Sequence, residues 1–426
     1  MPPAITPTSP PPRSSLPRLL LLLPTATYRT TAFVEAARRL GVDLTVASEQ
    51  SSTFEGARPD ALLTLDFAHP DHAAEQTRTF AARRQVNAVL GVDDDTVVIA
   101  ATIGAALGLG GNAVASVEAA RDKHRQRELL ARHGVPVPRF QLHRLDADLE
   151  GIARAQAYPC VVKPLRLSAS RGVIRANDGR ELTAAIRRLA AILAQPDTAG
   201  CATDVFLVEE YVPGAEVALE GLLVGGALHV LALFDKPDPL DGPFFEETIY
   251  ATPSRLPETA QRVLADTAAR AAQAIGLTRG PLHAELRWND RGAWLIELAA
   301  RPIGGRCSAA LRFQDGATLE ELVLREALGM ALARPVRETA AAGVMMIPVP
   351  GAGILREVRG VAEARAVPGV EDVIITAHRG QELVPWPEGS RYPGFIFARG
   401  AEPEDVVAAL HTAHRRLTFV RDRQTD

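Results

Sequence analysis

The first hundred residues alternate short apolar runs with segments whose apolar residues recur at helical spacing. Residues 18–23 are a nearly continuous apolar run, and residues 31–40 then have helical spacing up to Gly41. The same alternation continues with strands predicted at 43–47, 61–65 and 88–91 and a helix at 77–84. It is typical of parallel strands covered by helices. We therefore expect an N-terminal α/β domain.

From about residue 118 the pattern becomes mixed α+β. The predicted helices are 121–133, 181–194, 256–275, 319–333 and 403–417, and the predicted strands are 158–163, 205–212, 217–224, 282–288 and 293–298. Short strands with Gly and Pro turns follow residue 340. We divide the chain into a disordered leader rich in Pro and Ser, residues 1–17, and four structured regions. These are residues 18–117, 118–207, 208–335 and 336–426.

Composition excludes several classes of protein. With 426 residues the chain is long enough for several domains, and its net charge of −4 does not suggest a nucleic-acid binder. No apolar run is long enough to span a membrane, and residues 19–23 are too short for a signal peptide. Three cysteines, an odd and sparse count, suit a reducing compartment. We predict a cytoplasmic protein with small-molecule substrates, neither nucleic-acid nor membrane partners, and a possible homodimer.

Lysine is rare in this chain. Lysine and arginine total 47, but only Lys123, Lys163 and Lys236 are lysine. Lysine supplies a compact charge on a flexible stem, which the planar guanidinium of arginine does not. We therefore treat all three as candidates for a site. For Lys236 a salt bridge and a substrate contact are both open.

Two acids face each other in a predicted hairpin. Glu285 and Glu297 are directly opposed if the hairpin loop has three or five residues, whereas a loop of two or four would separate them. A divalent cation between them would relieve their repulsion, and Mg²⁺ prefers such oxygen ligands. The alternative is a pair of exposed acids without a ligand.

Two further segments have the composition of nucleotide-binding loops. Lys163 ends an apolar strand, and the loop that follows offers small residues, hydroxyls and an arginine to phosphate: Ser168, Ser170, Arg171 and Gly172. The strand at 205–212 ends in a second such segment, Glu209, Glu210, Tyr211 and Val212, whose backbone could meet a purine edge. Glu216, which follows this segment, could reach the hydroxyl groups of a ribose. An ordinary hairpin with exposed acids is the alternative.

The order and spacing of these pieces resemble the ATP-grasp superfamily over residues 20–420. The resemblance implies ATP and Mg²⁺ (with Mn²⁺ possible) as cofactors, and an N-terminal parallel α/β domain, a two-lobed ATP-grasp domain and a small C-terminal α+β subdomain. It assigns Lys123 and Lys163 to the nucleotide, 168–173 to the phosphate loop, 209–212 to the adenine hinge, Glu216 to ribose, Glu285 and Glu297 to the metal, and Arg301 to the transferring phosphoryl group. Many family members have Asn where this chain has Ala299, so a second metal would lose a ligand.

Within that superfamily the chain is most similar to the L-amino-acid ligase group. Residues 234–253 resemble that group's substrate segment, in which Glu247 and Tyr250 match positions facing the amino acid, and residues 343–420 resemble its C-terminal subdomain. We expect Phe244, Phe245 and Glu247 to surround an α-ammonium group. The alternative is a surface loop with a solvated acid.

Three other candidates have structural explanations. His283 is interpreted as a core or supporting residue, Cys307 as a packed thiol, and the acidic run 93–95 as a helix cap or solvated loop that could also touch substrate.

The resemblance implies an ATP-dependent carboxylate–amine ligase, with Lys163 and Arg301 as catalytic residues and a pocket near Lys236, Glu247, Tyr250 and Arg301. The carboxylate would attack the γ-phosphoryl group, and an amine would then displace phosphate. Alternatives are a carboxylase or purine-pathway enzyme of the same superfamily, or a nucleotide-binding regulatory protein without turnover.

Overall fold

The computed structural model describes residues 16–198 and 204–422. The predicted leader lies almost entirely outside these ranges, as does Cys201. Among the described residues, no helix is both long and apolar enough to cross a membrane.

A parallel four-stranded sheet in the order β3-β2-β1-β4 forms the N-terminal region. Its elements are β1 (Arg18–Leu22), α1 (Thr30–Leu40), β2 (Asp43–Ser48), β3 (Leu62–Thr64), α2 (Pro70–Ala81), β4 (Ala88–Gly91), α3 (Asp94–Ala106), α4 (Val114–Arg121) and α5 (Lys123–Arg132). The four leucines of β1 are fully buried because helices cover both faces of the sheet. This confirms the predicted parallel α/β region.

Several helices differ from the prediction, among them α2, α3 and α5. Helix α2 begins at Pro70, whose ring fixes the φ angle that a first helical turn needs. Helix α3 is not in the prediction because it is apolar on nearly every side and has no helical periodicity. The predicted helix 121–133 is interrupted at Asp122, whose carboxylate accepts the N–H groups of His124 and Arg125 and so caps α5.

A four-stranded antiparallel sheet in the order β5-β8-β6-β7 forms the small lobe. Its elements are β5 (Phe140–Arg144), α6 (Leu149–Ala155), β6 (Cys160–Lys163), β7 (Ile174–Ala176), α7 (Gly179–Leu193) and β8 (Val205–Glu210). Helix α7 buries its apolar face against this sheet through Leu182, Ile186 and Leu189. The opposite face of the sheet is left to line a cleft.

An eight-stranded sheet in the order β13-β12-β9-β10-β11-β14-β18-β16 forms the large lobe and continues into the C-terminal region. The large-lobe elements are β9 (Ala215–Val224), β10 (Ala227–Asp235), β11 (Ile249–Thr252), α8 (Glu258–Ile275), β12 (Gly280–Asn289), β13 (Gly292–Ala299) and α9 (Leu319–Ala327). The C-terminal elements are β14 (Ala341–Met346), β15 (Gly353–Arg359), α10 (Val361–Arg365), β16 (Val370–Ile375), β17 (Glu382–Leu383), β18 (Gly394–Gly400), α11 (Pro403–His414) and β19 (Thr418–Asp422). The pairing of β11 with β14 joins the two regions.

Candidate active site

A cleft between the small-lobe and large-lobe sheets brings together most of the predicted nucleotide residues. Its lining includes Lys123, Lys163, Ser170, Glu209, Glu210, Tyr211, Val212, Glu216, Glu285 and Glu297. They come from strands of both lobes, from the loops that follow β6 and β8, and from the start of α5. Lys123 and Glu297, which are 174 positions apart in the chain, therefore line the same cavity, together with other basic and acidic side chains.

Lys163 lies at the end of β6 and points into this cleft. Its Nζ is 2.7 Å from Oε2 of Glu209, and the same carboxylate accepts the Nε of Arg127 at 2.7 Å. Burial would raise the pKa of the Glu209 carboxyl, but Arg127 and Lys163 outweigh it and lower that pKa to about 2. Glu209 thus stays ionised and fixes the Lys163 ammonium at the cleft wall.

Lys123 reaches the cleft from the first residue of α5. Its Nζ donates to the carbonyl of Leu167 at 2.9 Å and lies 3.2 Å from Oε1 of Glu297. The side chain is 7% exposed, so the ammonium is held between the phosphate loop and an acid of the large lobe. A lysine on a helix would ordinarily be solvated, whereas this one is buried in the candidate site.

Glu285 and Glu297 are paired across β12 and β13, as predicted. The condition stated for that pairing was wrong, since Asn289 pairs with Gly292 and only two residues form the loop. A β-bulge next to the acids adds one residue to β13 and shifts the register. The bulge therefore restores the opposition that a two-residue loop alone would remove.

Lys236 lies at the centre of three acids. Its Nζ is 2.9 Å from Glu216 and 3.1 Å from Glu285, and it also donates to Glu247. The carboxylate oxygens of these three residues lie within 4.8 Å of one another, a spacing that would suit a metal ion. The ammonium already occupies that position, with only 2% of its side chain exposed. Of the two roles left open for Lys236, the structure shows the salt bridge.

This cluster perturbs the ionisation of its members. Burial would lower the pKa of the Lys236 ammonium, but Glu216, Glu247 and Glu285 raise it well above its usual value. Burial and the adjacent Glu285 raise the pKa of Glu247 to about 7, because two neighbouring carboxylates cannot both ionise easily. Between these two neighbours the pKa of Glu247 is raised and that of Glu285 is lowered, because Glu285 also has Lys236 and His283 beside it.

We expect Lys236→Met to reduce the free energy of unfolding by about 3–5 kcal/mol, because the change leaves buried acids without their cation. Urea unfolding measures the effect. Arg262→Met is the matched control, since Arg262 and its partner Glu258 are 70% and 89% exposed. Equal and small losses in the two variants would contradict the structural role of Lys236.

Arg301 follows β13 and lies beside the acidic end of the cleft. Its Nε is 2.9 Å from Oδ1 of Asp94, at the first turn of α3 in the N-terminal region. Burial would lower the pKa of this guanidinium, but the charges of Asp94 and Glu297 raise it above its usual value. Asp93, which directly precedes Asp94 in the chain, forms a capping box at the start of α3. The acidic run at 93–95 therefore caps a helix, as predicted, and also holds Arg301.

The phosphate loop only partly matches its prediction. Ser170 lines the cleft, and Lys123 holds the loop through the carbonyl of Leu167. Arg171, however, is directed towards Asp197, with Nη1 2.8 Å from Oδ2. The expectation that Arg171 binds phosphate is not met in this arrangement, because its guanidinium is satisfied on the far side of the loop. Ser168 and Gly172 lie in the loop but are not among the residues that line the described cleft.

The adenine hinge is also partly occupied by the protein. The N–H groups of Glu210 and Tyr211 donate to the carbonyls of Arg139 and Pro159, and the Val212 carbonyl accepts from Arg287. Because these backbone groups already form hydrogen bonds within the protein, fewer of them remain for a purine than the sequence predicted. The side chains still define one end of the cleft.

The substrate segment differs most from its prediction. Phe244 and Phe245 do not surround an ammonium site beside Glu247. The backbone of Phe244 bridges to Ile174 of the small lobe, and the Arg188 guanidinium lies 4.7 Å from the Phe244 ring centroid. Phe245 lines the nucleotide cleft instead. Tyr250 is buried, with its ring centroid 5.0 Å from Lys236 Nζ.

Three supporting residues escaped the sequence prediction. Arg287 is buried and donates to Glu216 at 2.7 Å, and the buried Glu220 accepts the N–H of Ile303 at 3.1 Å. Arg29 donates to the carbonyls of Pro302 and Ile303 at 3.1 and 2.9 Å, which anchors the turn after Arg301. For Glu220 and Arg287 the sequence did contain a signal, because polar residues alternate with apolar ones in β9 and β12.

His283 and Cys307 have the supporting roles expected of them. His283 lies between Glu220 and Glu285, at 3.6 and 3.7 Å, and these acids raise the pKa of its ring although burial opposes the shift. Cys307 is a buried thiol whose pKa burial raises well above its usual value. Such a thiol is a poor nucleophile.

Three family models match the chain. They are the ATP-grasp N-terminal domain over residues 34–111, an ATP-grasp domain over 156–310 and the L-amino acid ligase C-terminal domain 2 over 345–421. Among curated relatives, alanine–anticapsin ligase from Bacillus subtilis is 26% identical over 287 residues, which are 62% of this chain and 60% of that protein. Another relative, an uncharacterized protein of Sinorhizobium fredii, is 27% identical over 63% of this chain. The match spans 54% of that protein's length.

The architecture also matches a solved structure over nearly its whole length. The L-amino acid ligase from Bacillus licheniformis superposes with a TM-score of 0.77 and 26% identity, over 96% of this chain and 99% of that one. This chain therefore has the ATP-grasp fold, with an ATP-grasp N-terminal domain and an ATP-grasp domain followed by an L-amino acid ligase C-terminal domain.

Proposed function

We propose that the protein is an ATP-dependent carboxylate–amine ligase that forms an amide or peptide bond through an acyl phosphate, with an L-amino acid as a substrate. The observation that carries this proposal is the convergence of Lys123, Lys163, Glu285 and Glu297 in one cleft, with Arg301 at its acidic end. Cations suit the phosphates of ATP, and opposed acids suit the metal that accompanies them.

The carboxylate oxygen of the first substrate attacks the γ-phosphorus of ATP, and the bond to the β-phosphate oxygen breaks. The nitrogen of the second substrate then attacks the acyl carbon and forms a C–N bond. The bond between the acyl carbon and the phosphate oxygen breaks, phosphate leaves with its electron pair, and the amine loses a proton. Lys163 and Lys123 place positive charge beside the phosphates. Arg301 would face the oxygens of the transferring group with the N–H groups that Asp94 and the Pro302 carbonyl do not use.

The residues present fit a divalent cation. Glu285 and Glu297 are opposed on neighbouring strands, and each has one oxygen near a lysine, Lys236 or Lys123. Each therefore retains a second oxygen, and hard oxygen donors of this kind suit Mg²⁺. When bound, the ion would neutralise phosphate charge. Ala299 supplies no ligand, so we propose a single protein-held ion.

We place the carboxylate substrate near Arg301 and Glu297, on the side of the cleft closed by Glu247, Tyr250 and the C-terminal strands. The names of the relatives support amino acids as substrates: one is an alanine–anticapsin ligase and another an L-amino acid ligase. A carboxylase or purine-pathway enzyme is less well supported. N5-carboxyaminoimidazole ribonucleotide synthetase from Thermotoga maritima matches 96% of this chain with a TM-score of 0.68, but at 16% identity that likeness concerns the fold alone.

We expect Lys163→Ala to weaken ATP binding about tenfold or more and to abolish turnover, because it removes the ammonium that Glu209 fixes at the cleft wall. Calorimetric titration with ATP and an ADP-release assay measure the two effects. Arg154→Ala, at an exposed position on α6, is the control. The protein should stay folded since Arg127 still neutralises Glu209. Unchanged ATP affinity would refute the assignment of Lys163.

The function itself is tested with a panel of amino-acid pairs, ATP and MgCl₂. The proposal predicts phosphate release that depends on both amino acids, together with an amide product identified by mass spectrometry. ATP binding without ADP release for any pair would favour a regulatory protein. Bicarbonate-dependent release without an amide would favour a carboxylase.

A further inference from the structure

The phosphate loop is bonded to a segment of the C-terminal region. The indole Nε1 of Trp386 donates to the carbonyl of Ala169 at 2.7 Å, and the N–H of Gly172 donates to the carbonyl of Pro387 at 2.9 Å. Glu388 accepts two hydrogen bonds from Arg188 on α7, at 2.6 and 2.8 Å. These three consecutive residues, 386–388, are named the C-terminal clamp below.

The loop held by the clamp has a backbone that needs support. Ala169 and Ser170 both have φ values of +54°, in the left-handed region that residues other than glycine rarely adopt. Such conformations persist where the surroundings impose them, and they concentrate at functional sites. The Trp386 indole bonds to one of these two residues, and the other, Ser170, lines the cleft.

The clamp is itself firmly placed. Trp386 is 4% exposed, and its ring lies 4.8 Å from that of Tyr392, which in turn lies 6.4 Å from Phe395 on β18. The Tyr392 hydroxyl is buried and has no hydrogen-bond partner among the described residues. The aromatic stack therefore connects the phosphate loop to the large sheet, on the side where the substrate pocket is proposed.

We propose that Trp386 is a positioning residue that holds the phosphate loop over the acyl phosphate through the Ala169 carbonyl. This inference rests on the proposed ligase function. An acyl phosphate exposed to water would be lost: a water oxygen attacks the acyl carbon, the C–O bond to phosphate breaks, and the carboxylate is regenerated with release of protons. The net reaction is then hydrolysis of ATP to ADP and phosphate. A loop held closed reserves the acyl carbon for the amine.

Trp386→Phe tests this role because it keeps an aromatic ring against Tyr392 and removes only the N–H donor. We expect the phosphate released in excess of amide to rise about fivefold relative to the amide formed, the equilibrium factor of one hydrogen bond. Amide hydrogen exchange in loop 168–173 should accelerate by a similar factor in the protein without ligands. Glu388→Gln, which weakens the ion pair to Arg188 and leaves the aromatic stack intact, should move both readouts in the same direction.

Trp294→Phe is the matched control, since the Nε1 of Trp294 has no hydrogen-bond partner in the described part of the chain. The inference is overturned if the Trp386 and Glu388 variants match this control in both readouts. A higher phosphate-to-amide ratio without faster exchange in the loop would overturn it too. If the wild-type protein forms no amide, the proposed function fails, and hydrogen exchange alone then decides whether the clamp holds the loop.

Discussion

Replacing Arg301 with lysine should lower kcat about a thousandfold while the protein remains folded and binds ATP. Lysine keeps the positive charge but not the planar fork of donors. In the structure the Nε of Arg301 lies 2.9 Å from Asp94 and its Nη1 donates to the Pro302 carbonyl at 3.1 Å, so the side chain must serve the protein and the phosphoryl group at once. A single ammonium on a flexible stem cannot hold Asp94 and the transferring phosphoryl group in fixed positions.

Steady-state kinetics with saturating ATP measure this effect, and circular dichroism checks the fold. Arg312→Lys is the control, because Arg312 forms a half-exposed surface pair with Glu371. A kcat within about threefold of the wild-type value in Arg301→Lys would remove Arg301 from the catalytic residues.

Glu297→Gln should lower kcat about a hundredfold and raise the Mg²⁺ concentration needed for half-maximal activity. Glutamine keeps the shape of the side chain and a hydrogen-bond acceptor for Lys123, so the change removes mainly a negative charge. The Glu297 side chain is 33% exposed, so solvent replaces part of the charge that Lys123 loses as a partner.

The measurement is a titration of activity with MgCl₂, with thermal unfolding followed in parallel. Glu258→Gln, at an exposed position on α8, should leave activity and stability unchanged. Wild-type kcat with an unaltered Mg²⁺ dependence in Glu297→Gln would show that this acid does not hold the metal.

Much of the candidate site follows from local sequence patterns. Lys163 at the end of an apolar strand, the small residues after it and the two acids of the hairpin are local signals, and the structure brings them into one cleft. The scarcity of lysine was equally informative, because all three lysines are buried and paired with acids. A residue type that a chain rarely uses is thus informative when it lies beside a plausible partner.

The contacts that correct the prediction link distant parts of the chain. Arg29 and Pro302 are 273 residues apart, and Trp386 and Ala169 are 217 apart. No local periodicity encodes such pairs, since they depend on how the sheets pack together. The same holds for Arg171, which a pattern assigns to phosphate but the fold directs to Asp197.

Strand register and the pairing of charges account for two further differences between the prediction and the structure. The bulge beside Glu285 and Glu297 changes a pairing that loop length alone would set, and the sequence gives no strong sign of it. Glu247 was interpreted as an acid free to bind an ammonium group of the substrate. In the structure the ammonium beside it belongs to Lys236. A local pattern identifies acids well, but it does not tell which cation will neutralise them.

Isotope transfer tests the formation of an acyl phosphate most directly. A carboxylate substrate identified in the amino-acid panel is labelled with ¹⁸O in both carboxyl oxygens and incubated with ATP, MgCl₂ and the amine. Because one carboxyl oxygen attacks the γ-phosphorus and leaves with it, we expect one ¹⁸O atom in each phosphate released and the other in the amide. Amide formation with phosphate that carries no ¹⁸O would contradict the proposed mechanism.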